Sequence, residues 1–85
     1  MVSSMNFQIG DLLIPVPGRW TVSTGLGNSQ SGIVVRIDPE HYMGRDFYYV
    51  RVRWTRTDGS HWFNRSDAHY LHNCIVAGDL RLVTA

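Results

Sequence analysis

The stretch YVRVRWTRTDGSHWF, residues 49–63, alternates apolar and arginine side chains, breaks at Asp58-Gly59 and resumes with His61, Trp62 and Phe63. Alternation of period two belongs to a strand with one buried and one solvated face, because successive side chains point to opposite sides. Asp-Gly between two such runs favours a two-residue type I′ hairpin turn, in which both central residues take positive φ. A hairpin is therefore expected, with FYYVRVRWT (47–55) as one arm and SHWFNR (60–65) as the other. On that turn Thr57 opposes Ser60, Thr55 opposes Trp62 and Trp54 opposes Phe63. Val50, Val52, Trp54 and Phe63 then face the core, while Tyr49, Arg51, Arg53, Thr55 and Trp62 share the outer face. A turn one residue longer would reverse the second arm and bury Trp62 instead.

Working outward, FQIGDLLIPV (7–16) reads as a first strand, closed by Pro15 and Pro17. PGRWTVSTGLGNSQS (17–31) is a long loop with Trp20 and Val22 as anchors, and Gly25, Gly27 and Gly32 permit turns there. GIVVRID (32–38) is a second strand, and PEHYMGRD (39–46) is a loop bounded by Pro39 and Gly44. SDAHYL (66–71) begins with a Ser or Asp cap and predicts a single 3₁₀ or α turn. LRLVT (80–84) closes the sheet. No internal repeat, heptad or amphipathic helical stretch of useful length is found, so the pattern is that of a small all-β sandwich or barrel.

Eighty-five residues, 44% of them hydrophobic, suit one domain spanning 1–85 with a modest core. A formal charge of +1 is too near neutral to predict nucleic-acid or membrane binding from the overall field, so either partner requires a local patch. All eight basic residues are arginine and six of the seven acids are aspartate. Cys74 is the lone cysteine, which excludes an intramolecular disulfide and points to the cytoplasm. MVSSMNFQIGDLL lacks the basic start and apolar run of a signal peptide, and no apolar run approaches the length of a membrane span. The glycosylation sequon at Asn64 has no meaning without secretion.

Five strands, a long first loop, a tight third-to-fourth hairpin and a helical turn before the last strand resemble an SH3-like barrel. The segments that carry the resemblance are FQIGDLL, GIVVRI and VRVRW…DG…WF…SD…L, which together cover most of the chain. Their order is similar to that of small SH3-like proteins, among them ones found in tailed phages and marine bacteria. The resemblance implies a five-stranded barrel acting as a binding or assembly module, in the host cytoplasm or the virion for a phage-derived chain. The Ala-Leu-Tyr-Asp-Tyr opening of peptide-binding SH3 domains is missing, and Asn64 stands where a proline would follow Phe63. IGDLLI…GLGNSQSGIVVRI also resembles KOW-type modules, which bind RNA or protein, in placing a glycine just before an apolar strand; the basic residues usual near that glycine are missing.

No catalytic signature is present. HYLHNC brings His69, His72 and Cys74 close in sequence, with His61 expected across the barrel, but a structural zinc site needs four ligands at established spacings, and no metal or other cofactor is expected. Asp11, Asp58 and Asp67 each fit a turn or a cap. The remaining feature is the arginine face: Arg51 and Arg53 on one strand, Arg36 beside them, and Tyr49 and Trp62 as stacking planes. Arginine with aromatic side chains on a sheet suits single-stranded nucleic acid, although a solvated face with arginine packed on tryptophan is the commoner arrangement. The sequence thus predicts a non-enzymatic module working through protein contacts, with a KOW-like nucleic-acid-binding module as the alternative. Self-association is expected as well, through Phe7 to Ile14 or through Tyr42, Phe47 and Trp62, because so small a barrel cannot cover all its aromatics.

Overall fold

The computed structural model describes residues 7–18 and 29–85. Its elements run β1 (Leu12–Pro15), β2 (Ser29–Tyr42), β3 (Arg45–Arg56), β4 (His61–Asp67), α1 (Ala68–Val76) and β5 (Leu80–Val83). The five strands form one antiparallel sheet in the order β4-β3-β2-β1-β5. The end strands β4 and β5 are not neighbours in that order, so hydrogen bonds do not close the sheet into a barrel. Trp20, Val22, Gly25 and Gly27 of the expected first loop lie outside the described residues.

Side-chain alternation builds the core as rows crossing the strands. Leu82, Leu13, Gly32, Trp54 and Trp62 stand in register on β5, β1, β2, β3 and β4 and form one inward row across the sheet. Leu13 and Trp54 are fully buried, and the Trp54 and Trp62 rings stack with centroids 6.3 Å apart. Gly32 is the narrow point of that row. A Cβ there would lie 2.6 Å from the Trp54 ring and 2.6 Å from a Val52 methyl, so the indole occupies the space a side chain would need. The next rows inward contain Val34 with Val52 and Ile37 with Val50.

The 56–60 turn departs from the two-residue turn expected. Arg56 pairs with Ser60 through Arg56 N–H to Ser60 O at 2.8 Å, and Gly59 N–H donates to Arg56 O at 2.9 Å. Three residues therefore form the loop, with Gly59 at φ 89° and Asp58 not in the positive-φ region. This is a type I turn closed by a glycine bulge, and it needs the left-handed conformation only at the glycine. Asp58 accepts from Ser60 N–H and Oγ at 2.9 and 2.6 Å, and these bonds, side chain first, hold its carboxyl below the ordinary value. The extra residue moves the register by one: Trp54 opposes Trp62, and Arg53 opposes Phe63. Trp62 accordingly turns inward, its Nε1 donating to Ser29 Oγ at 3.2 Å, while Phe63 is 62% exposed rather than buried.

The hairpin of β2 and β3 is longer than expected. The segment read as a loop over 39–46 continues both strands to a two-residue turn at Met43-Gly44, with φ of 53° and 77°. The first strand is shorter, because a turn from Gln8 to Asp11 precedes it. Asp11 is fully buried there and ties the turn before β1 to Ala85, accepting from Gln8 N–H at 2.8 Å and Ala85 N–H at 2.9 Å.

The single helical turn expected before the last strand is a nine-residue α-helix. Asp67 caps it by accepting His69 N–H at 2.8 Å. Ala68, Leu71 and Cys74, spaced by three residues, form its buried stripe against the sheet. No helix among the described residues is long and apolar enough to cross a membrane.

Candidate functional site

The outer face of β2, β3 and β4 gathers most of the residues singled out by sequence. The β2–β3 ladder slips between Val34 and Arg36, leaving Val35 as a bulge. A strict period of two would send Arg36 to the same side as Gly32 and Val34; the bulge returns it to the outer side, opposite Arg51. Arg51 in turn opposes Arg65 on β4. Arg36, Arg51 and Arg65 therefore form one row across three neighbouring strands, which lie about 4.8 Å apart in such a sheet. Arg53 and the exposed Phe63 form the adjacent row, with Ile33 beside them.

Like charges directly opposite on paired strands repel, and the flanking row of Asp38, Tyr49 and Asp67 brings two carboxylates to the same face that offset this in part. Two members of the arginine row have local partners. Arg36 Nε donates to Asp38 Oδ1 at 2.6 Å on the solvent side, and the Arg65 guanidinium lies 3.9 Å from the Tyr49 ring centroid. Among the described residues no carboxylate pairs with Arg51, Arg53 or Arg65. The row thus presents forked donors whose geometry suits the oxygens of phosphate or carboxylate.

The face continues along the hairpin into a groove of about 400 Å³ lined by Tyr42, Arg45, Phe47, Tyr49, Asp67 and His69, among others. Phe47 meets Tyr49 edge to face at 5.3 Å, so Arg65, Tyr49 and Phe47 form a continuous run of contacts leading from the arginine row into the groove. Asp67 and His69 enter from the β4–α1 junction, where the helix cap fixes the Asp67 side chain.

Of the five sequence candidates, Arg36, Tyr49, Arg51 and Arg53 share this face, and Trp62 does not. Trp62 stacks on Trp54 on the opposite side of the sheet, with the Arg56 guanidinium 5.5 Å from its ring. Phe63 and Arg65 take its place outside, and both were hidden by the turn: on a two-residue loop they would face inward. The alternation around them fits either register, so only the length of the 57–59 loop identifies them.

The histidines and the cysteine disperse. His61 contacts Thr55 at 3.1 Å on β4, His69 lines the groove, and Cys74 is buried in the core. Among the described residues no group of three or more His, Cys, Asp or Glu side chains could hold a metal ion. Burial pushes the Cys74 thiol and the Tyr70 phenol above their ordinary values. The Phe7 to Ile14 segment expected at an interface is divided, with Phe7 and Leu13 buried and Ile9 exposed. A scan of protein-family models and searches of curated proteins and of solved structures each return no match to this chain.

Proposed function

We propose that this protein is a non-enzymatic binding module with an SH3-like arrangement of strands, and that its outer arginine face holds single-stranded nucleic acid. The strand order, with β1 between β2 and β5 and a β3–β4 hairpin beyond, supports the SH3-like reading. Of the two functions open at the level of sequence, protein assembly and nucleic-acid binding, the second is better supported. The observation that carries it is the row of Arg36, Arg51 and Arg65 with Phe63, Tyr49 and Phe47 around it. A phosphodiester chain relieves the repulsion within the row, and the flanking aromatics offer surfaces on which bases stack without regard to sequence.

Fluorescence anisotropy with a labelled oligothymidylate at low salt, set beside polyglutamate as competitor, tests this. Binding that polyglutamate displaces poorly is expected. Displacement by polyglutamate as effective as that by unlabelled oligonucleotide would reassign the face to an acidic protein partner. Self-association has its own support in Tyr42 and Met43, which are 68% and 81% exposed at the hairpin tip. Light scattering over a dilution series reads it directly: a mass above one chain that falls on dilution supports it, and a constant single-chain mass removes it.

A further inference from the structure

The groove beside the arginine row differs from the row in chemistry. Its walls are aromatic, through Phe47 and Tyr49, and its polar groups are of opposite kinds: the Arg45 guanidinium donates, and the Asp67 carboxylate accepts. A phosphate would be repelled by Asp67, whereas a planar group carrying both donors and acceptors would be matched. The volume of about 400 Å³ has room for a planar ligand the size of a nucleobase or larger. Its place is also informative, since Tyr49 lies under the Arg65 guanidinium and belongs to the groove as well as to the arginine face.

Resting on the nucleic-acid reading above, we infer that this groove seats one guanine base of the bound strand. Guanine carries the acceptor pair O6 and N7, which arginine reads, and separate N–H donors, which a carboxylate accepts. Thymine presents only one ring N–H between two carbonyls, and adenine has no adjacent acceptor pair; cytosine has one in O2 and N3, but its amino group lies on that same edge, whereas guanine's acceptors and donors lie on different edges and meet both Arg45 and Asp67, which sit four residues apart along the ladder with Asp67 opposite Tyr49. One Asp67 oxygen is engaged by the His69 amide, and the other has no partner among the described residues. The helix cap thereby fixes the carboxylate that reads the base, and Phe47 provides the apolar wall.

The test uses the full chain and labelled oligothymidylates carrying a single central dG, dA or dC, with affinity read by anisotropy at low salt. The dG strand should bind about tenfold more tightly than the all-thymidine strand, a margin within that of one good base contact. Asp67→Asn keeps an N-cap of equal quality, so the fold is retained; it should remove most of that margin, read as the ratio of dG-strand to all-thymidine affinity, because the change in charge acts on both strands alike. Arg45→Ala should do likewise. Equal affinity for all four strands, or a guanine margin that survives Asp67→Asn, would overturn the base assignment and leave the arginine face in place. Absence of binding to every strand would remove the arginine-face reading and the base assignment together.

Discussion

Arg36 of β2 stands opposite Arg51 of β3 because Val35 bulges out of the ladder between them. Were Val35 paired in a regular ladder, Arg36 would follow Gly32 and Val34 to the core side, and Ile37 would turn toward solvent. One irregularity therefore packs a half-buried isoleucine against the core and places a guanidinium at the end of a row with two others. Bulges recur where a sheet re-aims a side chain for use, and here the re-aimed side chain joins a row whose members repel one another.

That repulsion predicts a separation of stability from binding. Arg51→Gln, at the centre of the row, should leave stability unchanged or raise it by about 0.5 kcal/mol, since a like-charge contact on each side is lost. Urea denaturation measures this. A loss of more than about 1 kcal/mol would mean that the row stabilises the fold and is not held against its own charge.

The two neighbouring aromatics of β4 should behave in opposite ways. Trp62→Ala removes a ring stacked on Trp54 and should cost about 2 kcal/mol of stability, a partial version of emptying a core site. Phe63→Ala, at an exposed position, should change stability by less than about 0.5 kcal/mol and weaken oligonucleotide binding by about 1–3 kcal/mol. Thermal melts and anisotropy on both variants check the pair, and the reverse pattern would restore the two-residue turn.

The partition between these residues shows how far the sequence could be read. Alternation over 47–55 correctly placed Val50, Val52 and Trp54 inside, because period two holds in β3 from Val50 to Trp54. It failed at Trp62 and Phe63, where adjacent aromatics fit the core equally well and Asp58-Gly59 suits two turns that differ by one residue. The bulge at Val35 leaves no mark in a run of β-branched residues. The Met43-Gly44 turn lacks the Asn or Asp that announces its type. In α1, the stripe of Ala68, Leu71 and Cys74 is small and broken by histidines and an asparagine, which masks its helical period.

Gly32→Ala should be among the more damaging single changes in the sheet. The added methyl meets a buried indole and a buried valine at 2.6 Å, and overpacking of this kind costs about 1–3 kcal/mol. A melting temperature equal to that of the wild type would mean that Trp54 can move aside.

Cys74 should react slowly in the native protein. Burial pushes its thiol above the ordinary value of 9.0, opposed by a hydrogen bond with Tyr70, so little thiolate is present at pH 8. Because the folded value exceeds the unfolded one, the associated stabilisation is whole below about pH 9 and fades as pH rises through the folded value. Disulfide-forming reagents at pH 8, with and without urea, measure the protection. Equal rates would place the sulfur at the surface.

The arginine face is tested most directly by the salt dependence of oligothymidylate binding. If Arg36, Arg51 and Arg65 each neutralise one phosphate, the logarithm of the association constant should fall with the logarithm of salt concentration at a slope of about −2. Arg51→Gln should make that slope shallower by about 0.7. A slope near zero, or one that Arg51→Gln leaves unaltered, would contradict the account.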